Sequence, residues 1–278
     1  MFFALYGNVI PQFSAPHLVA LAVLLTASVM SVWVARTRPS LAIRLGYLLA
    51  LAVFVAWVGE YVLDAANGTY SARFTLPLQL TDAISAITVI ALWTRKRAVV
   101  ELLYFWALSA SLQALVTPDL GENFPSAYYF TYFVYHIGAV VAAVMLVFGY
   151  GMYPRSWGAL RAFAATLAWA ALAGIADIVF GGNYMYLRAK PLHSSLLSLM
   201  GPWPWYLVST GALALAMLLV LALIAEGIRA IDPRAGASGL PRASSSPAVS
   251  GTCGDSPAEP EAPSPRTAWS RRRGSAKA

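Results

Sequence analysis

Polar and ionisable side chains recur at helical spacing inside long apolar segments of this 278-residue chain. Glu60 and Asp64 are four residues apart and therefore share one face of a helix. Such groups are costly in hydrocarbon, which makes them candidates for ligand binding or catalysis. Three later segments carry similar repeats, in which every third or fourth residue is polar: Gln79, Asp82 and Ser85; Ser109, Gln113 and Thr117; Tyr128, Tyr132 and His136.

His136 is the one histidine inside an apolar segment, since His17 and His193 flank such segments. A nearby carboxylate raises the basicity of an imidazole while burial opposes it, so Asp82 could orient His136 as a general base. The alternative is that each polar residue makes an interhelical hydrogen bond with a structural role. Both interpretations stay open at this stage.

The sequence excludes several other chemistries. The single cysteine, Cys253, lies in a polar C-terminal segment, which excludes a structural disulfide and a thiolate metal cluster. No HxxxH, HExxH, P-loop or GxSxG pattern occurs. The last apolar segment has no lysine for a retinal Schiff base. Basic runs interleaved with aromatic residues, typical of nucleic-acid binding, are missing from the body of the chain. We therefore expect no metal, no other cofactor and no nucleic-acid partner.

The elements that position these residues are predicted to be transmembrane helices. Hydrophobic residues make up 59% of the chain and charged residues 11%, against about a quarter charged in soluble proteins. The fold class is therefore all-α, a polytopic membrane protein with a bundle of seven helices. In the third helix, Thr75 is expected to cap the N-terminus and Pro77 to lie in the first turn. The predicted spans are roughly Leu18–Ala35, Leu45–Leu63, Leu76–Trp93, Ala98–Val116, Ser126–Tyr150, Ala162–Phe180 and Trp203–Ala225.

The basic residues predict the orientation of this bundle. With the N-terminus outside, sixteen lysines and arginines fall in cytoplasmic segments and three in exterior ones, namely Arg73, Arg188 and Lys190. The positive-inside rule therefore favours an exterior N-terminus and a cytoplasmic C-terminus in the cell (inner or plasma) membrane. Residues 1–230 form the predicted transmembrane domain. Residues 231–278 are rich in Pro, Ser and Gly and are predicted to be a disordered, basic cytoplasmic tail.

In this orientation nearly all polar residues within spans lie in the outer half of the membrane, with Glu101 as the exception near the inner face. This asymmetry predicts an outward-facing pocket among the second to sixth helices. We expect Gln79, Asp82, Gln113 and His136 to face one another there. The other candidate ligand-binding residues are Glu60 and Tyr132, with Asp119, Asp177 and Asn183 near the rim.

Three functions remain open. The pocket could bind or transport a small polar or amphiphilic molecule, or it could belong to an enzyme that acts on membrane lipid. The chain could also be a structural or accessory subunit. The inner halves of the spans are almost entirely apolar, which counts against a continuous transport pathway.

Short motifs resemble the YwaF-like integral membrane family, bacterial relatives of vertebrate transmembrane protein 164. The resemblance covers residues 13–226 and lies in the order and spacing of its motifs. They are Phe13-Ser14-Ala15-Pro16-His17-Leu18, Leu76-Pro77-Leu78-Gln79-Leu80-Thr81, Gln113-Ala114-Leu115-Val116-Thr117-Pro118-Asp119-Leu120, Tyr135-His136-Ile137, Asn183-Tyr184-Met185-Tyr186-Leu187, Lys190-Pro191 and Gly201-Pro202-Trp203-Pro204-Trp205-Tyr206.

The resemblance implies acyl transfer onto phospholipids. In that family a cysteine in the Leu-Pro-Leu-His-Leu-Cys type segment is the proposed acyl acceptor, with a histidine as partner. In this chain Gln79 stands in place of the histidine and Thr81 in place of the cysteine. A threonine hydroxyl needs an adjacent base to attack a carbonyl, and His136 is the candidate. Because Thr81 is about 200° around the helix from Gln79, we expect it to point away from the pocket.

Overall fold

The computed structural model describes residues 10–191 and 196–234, and these residues form helices and no strand. Seven long helices follow one another along the chain. They are α1 (Ala15–Thr37), α2 (Pro39–Ala66), α3 (Leu80–Thr94), α4 (Arg97–Val116), α5 (Ala127–Gly149), α6 (Gly158–Phe180) and α7 (Trp205–Ile231). Two short 3₁₀ turns, Tyr184–Tyr186 and Leu196–Leu199, lie between α6 and α7.

Six of these helices are long and apolar enough to cross a membrane. The seventh, α3, has 15 residues. At 1.5 Å per residue it is about 22 Å long, which is less than the roughly 30 Å of bilayer hydrocarbon. It packs between α2, α4 and α5, so neighbouring helices surround it on several sides.

The predicted start of the third helix is wrong. The helix begins at Leu80 rather than Leu76, and Gln79 is its N-cap residue. The Asp82 carboxylate accepts the Gln79 backbone N–H at 2.9 Å, which satisfies an N-terminal amide as in a capping box. Thr75 instead accepts the Ser71 backbone N–H at 3.1 Å, so it stabilises the preceding turn.

The buried centre of the bundle is α5, which packs closely on α2 through a glycine. A Cβ atom at Gly138 would overlap the Val53 side chain, so only glycine permits this approach. By contrast, α7 packs mainly along α6 and touches α4 at a π-helical turn, Ala107–Ser111. Most of α7 is exposed at the surface of the bundle.

Buried His17 connects the start of α1 to the end of α4. Its Nδ1 accepts the Phe13 N–H at 2.9 Å, so Nε2 carries the proton and donates to the Leu115 carbonyl at 2.8 Å. This end of the bundle also holds the segments 67–79, 117–126, 181–191 and 196–204, and we call it the cavity end. The opposite end holds Arg36, Arg95–Arg97 and the α5–α6 connection, and we call it the basic end.

Ion pairs at the basic end connect separate helices. Glu101 on α4 accepts hydrogen bonds from Arg155 and Arg161 at 3.2 and 2.8 Å. Asp232, just after α7, accepts from Arg36 at 3.2 Å and from the Tyr153 hydroxyl at 2.7 Å. The hydrogen bond from Tyr153 and the nearby arginines hold the pKa of Asp232 below its ordinary value. The helix α7 ends one residue beyond the predicted domain boundary at residue 230. Residues 235–278, which include Cys253, lie outside the described residues, and so does His193.

Candidate functional site

A cavity of about 570 Å³ opens at the cavity end of the bundle, between α7 and the ends of α2 to α5. Eight of the ten predicted site residues line it, including the four that were expected to face one another. They are Glu60, Gln79, Thr81, Asp82, Gln113, Asp119, Tyr132 and His136. Thr81 was expected to point away from the pocket, but it is one of the residues that line the cavity.

The Asp82 carboxylate is held by three neutral donors. Oδ1 accepts the indole N–H of Trp57 at 2.9 Å and the hydroxyl of Tyr61, both on α2. Oδ2 accepts the backbone N–H of Gln79. These bonds orient the carboxylate between α2 and α3.

His136 is 2% exposed and packs against two tyrosine rings. The centroid of its ring lies 4.4 Å from that of Tyr132 and 4.7 Å from that of Tyr135. Its Nδ1 atom is buried and has no hydrogen-bond partner in the described part of the chain. The expected hydrogen bond with Asp82 is not observed among the described residues, where that carboxylate accepts from Trp57, Tyr61 and the Gln79 amide.

The two carboxylates at the end of α2 contact tyrosines of α5. The Tyr128 hydroxyl donates to Asp64 Oδ1 at 2.9 Å. The Tyr135 hydroxyl interacts with the Glu60 carboxylate. Both acidic side chains line the cavity, so the Glu60/Asp64 face predicted from their spacing points inward.

Two glutamines and Tyr132 hold the cavity wall through neutral hydrogen bonds. Gln79 Oε1 accepts the Met185 N–H at 2.8 Å, which connects α3 to the turn Tyr184–Tyr186. Gln113 Nε2 donates to Thr117 Oγ1 at 2.8 Å. The Tyr132 hydroxyl donates to the Ala114 carbonyl, also at 2.8 Å.

Asp119 lies where α4 leads into the next loop, and the Tyr186 hydroxyl donates to its carboxylate. Burial, together with this carboxylate, raises the pKa of the Tyr186 phenol, so Tyr186 stays a neutral donor. The hydrogen bond connects the loop after α4 to the loop after α6.

The remaining two predicted residues, Asp177 and Asn183, do not line the cavity. Asp177 is fully buried and accepts the Tyr184 N–H at 2.7 Å. Asn183 Oδ1 accepts the N–H groups of Arg188 and Ala189, both at 2.9 Å. These hydrogen bonds stabilise the loop in which Met185 and Tyr186 line the cavity.

Comparison with known proteins gives one family. The model of the TMEM164 family matches residues 12–222. The chain belongs to the TMEM164 family. No curated protein and no solved structure matches the chain. The match confirms the predicted relation to transmembrane protein 164 and supports the prediction that the chain is a multi-pass membrane protein. The narrower YwaF-like assignment and a bacterial origin stay predictions.

Within this TMEM164-family chain, sequence reasoning missed the donors around Asp82 and the whole wall formed by α7. Trp57 and Tyr61 have the same four-residue spacing as Glu60 and Asp64, and that spacing was the available signal. No comparable signal marks α7, because its cavity-lining residues are apolar except for one hydroxyl. They are Thr210, Leu213, Ala214, Met217 and Leu218.

Proposed function

We propose that this membrane protein binds an amphiphilic molecule, with the polar end between α2, α3 and α5 and the hydrocarbon end along α7. The observation that carries the proposal is the two-sided lining of the cavity. Carboxylates, Gln79, Gln113 and His136 form one wall, while Leu213, Met217 and Leu218 form the other.

The size and the softness of the apolar wall support this proposal. A volume of about 570 Å³ falls within the range of about 300–1,000 Å³ that is typical of ligand sites. Three methionines line it, Met185, Met200 and Met217. Methionine side chains are flexible and polarisable, which suits the variable shape of a hydrocarbon chain.

Binding is favoured over transport because the bundle is tightly packed on the other side of the cavity. On α4, Leu103, Tyr104 and Phe105 precede the cavity residue Ser109 and are fully buried. The one polar side-chain group of these three residues, the Tyr104 hydroxyl, donates to the Leu221 carbonyl at 2.8 Å and is therefore not free to line a route through the bundle.

We infer that all seven helices cross the cell membrane, with the N-terminus outside and the cavity open to the exterior. The basic end then lies in the cytoplasm, as the positive-inside rule requires. Cysteines introduced one at a time after Cys253→Ser should show this with an impermeant thiol reagent on intact cells. Gly121→Cys and Ala189→Cys, in loops of the cavity end, are expected to react and Lys96→Cys to be protected. The reverse pattern would contradict the orientation.

Native mass spectrometry of the purified full chain tests amphiphile binding. Ala214 lines the cavity, while Ala216 on the same helix is exposed on its outer face. Ala214→Trp is therefore expected to fill the cavity and remove the bound mass, and Ala216→Trp to keep it. A wild-type protein with no bound amphiphile, or equal retention in both variants, would contradict the proposal.

Acyl transfer is a second candidate, favoured by one observation. Thr81 and His136 line the same cavity. Attack of the Thr81 hydroxyl on an acyl ester of a phospholipid would break that ester bond, release lysophospholipid and leave the acyl group on Thr81. The intact protein would then gain the mass of an acyl group after incubation with phospholipid. Thr81→Val should not gain the mass of an acyl group. If the wild-type protein does not gain it either, this mechanism is excluded.

A further inference from the structure

The cavity lining is strongly asymmetric in charge. Four carboxylates line it, those of Glu60, Asp64, Asp82 and Asp119, and the lining residues that the structure describes include no lysine or arginine. Buried or half-buried carboxylates without a cation create a negative potential, which low-dielectric walls strengthen.

Among the described residues, the groups that donate hydrogen bonds to these four carboxylates are all neutral. Asp82 accepts from Trp57, Tyr61 and a backbone amide, as described above. The donors to the other three are tyrosine and threonine hydroxyls, namely Tyr135 to Glu60, Tyr128 and Thr69 to Asp64, and Tyr186 to Asp119.

The basic residues of the nearby loops make other contacts. Arg188 donates to the Asp177 carbonyl at 3.0 Å. The Lys190 Nζ atom lies over the Tyr206 ring, 5.4 Å from its centroid, and the Arg73 guanidinium lies over the Phe74 ring at 5.1 Å. In the described ranges, every ion pair is at the basic end.

Two residues of the lining carry a buried polar atom without a protein partner. His136 is almost completely buried, and its Nδ1 has no partner in the part of the chain that the structure describes. The same holds for the buried Thr210 Oγ1 on the opposite wall. Buried polar groups are nearly always hydrogen-bonded, so these two residues keep unused hydrogen-bonding capacity beside the cavity.

We infer that the ligand carries an ammonium group, which binds at the wall that holds the four carboxylates while its hydrocarbon chain lies along α7. This inference rests on the proposed function and names the headgroup. An ammonium group supplies positive charge and N–H donors, and the rings of Tyr61, Tyr132 and Tyr135 add cation–π attraction.

Other charged ligands fit less well. A phosphate or carboxylate headgroup would meet four acidic side chains, and no lysine or arginine among the described lining residues could pair with it. A metal ion needs converging ligands, and no three His, Cys, Asp or Glu side chains in the described residues are grouped to hold one. The carboxylates are spread along the wall, which suits an organic cation.

Binding of three matched amphiphiles to the full chain in a non-ionic detergent tests this inference. The probes are dodecylammonium, dodecanol and dodecyl phosphate. We expect dodecylammonium to bind about tenfold or more tightly than either of the others, as loss of one charge contact would predict. Equal binding of dodecanol or tighter binding of dodecyl phosphate would overturn the ammonium assignment while leaving amphiphile binding intact.

A pair of acid-to-amide variants locates the effect. Glu60→Gln removes one carboxyl group of the cavity with little change in size and should weaken dodecylammonium binding about tenfold. Glu226→Gln is the control, because Glu226 is exposed on α7 and is not among the lining residues. Equal affinities of the two variants would overturn the inference.

Ethylammonium, which keeps the headgroup but lacks the long chain, separates the inference from the proposed function. It is expected to compete far more weakly than dodecylammonium. Equal competition would show a site for a small free amine, so the amphiphile proposal would fail and the ammonium assignment would stand. If none of the probes binds, both fail.

Discussion

The two ends of the helix bundle use the same acidic residue types in opposite ways. At the basic end, Glu101 contacts Arg155 and Arg161, and Asp232 contacts Arg36. At the cavity end, Glu60 and its neighbours have only neutral donors among the described residues and face a cavity. The difference teaches that partners, rather than burial alone, separate a structural carboxylate from a candidate binding carboxylate.

The comparison has a consequence for stability. A carboxylate paired with arginines adds to the stability of the fold, and its removal leaves cations without partners. A carboxylate without a cation contributes little or even destabilises the empty protein, as functional groups often do. The two ends should therefore respond differently to the same substitution.

The largest expected difference is between Glu101→Gln and Glu60→Gln. Loss of the charged hydrogen bonds to Arg155 and Arg161 should cost Glu101→Gln about 2–3 kcal/mol of unfolding free energy. Glu60→Gln should stay within about 0.5 kcal/mol of wild type or be more stable. Denaturant titration in detergent measures both, and equal destabilisation would break the comparison.

A smaller effect is expected at the neutral donors that replace arginines at the cavity end. Trp57→Phe removes the indole N–H that donates to Asp82, which should cost about 1–1.5 kcal/mol of unfolding free energy. The control is Trp33→Phe, because Trp33 is half exposed on the outer surface of α1. Thermal unfolding of the two variants measures the difference, and wild-type stability of Trp57→Phe would show that the donor is not needed.

The smallest effect is a pH dependence at the basic end. Because the pKa of Asp232 is lowered in the folded protein, its contribution is complete above about pH 4, the ordinary pKa of aspartate. It is lost as the pH falls through the lower folded value. Between pH 5 and pH 2, the free energy of unfolding of the wild-type protein should therefore fall by about 0.2–1 kcal/mol more than that of Asp232→Asn. Parallel stability curves for the two proteins over this window would contradict the role of Asp232.

Much of the architecture and the convergence of the polar faces could be predicted from sequence, because periodicity reports which helix face avoids lipid. The faces that carry Gln79, Asp82, Gln113 and His136 do line one cavity. The long apolar runs also locate all seven helices, with α6 beginning at Gly158 rather than the predicted Ala162.

What could not be predicted depends on contacts between elements. The start of α3 is decided by the bond between Asp82 and the Gln79 amide and by the contact of Gln79 with Met185. Asp177 and Asn183 carry polar groups in the expected region, but local backbone amides use those groups. The partners of Asp82 on α2 require knowledge of how α2 and α3 pack, which helical spacing alone does not give.

The central claim is that the cavity end binds the cationic head of an amphiphile whose chain lies along α7. Photolabelling of the full chain with a long-chain amine that carries a diazirine in its hydrocarbon tail tests this claim most directly, with the labelled positions mapped by peptide mass spectrometry. The account predicts label in residues 210–218 and beside Met185, and loss of that label with excess dodecylammonium. Label confined to lipid-facing positions such as Leu25 and Leu48, unchanged by the competitor, would contradict it.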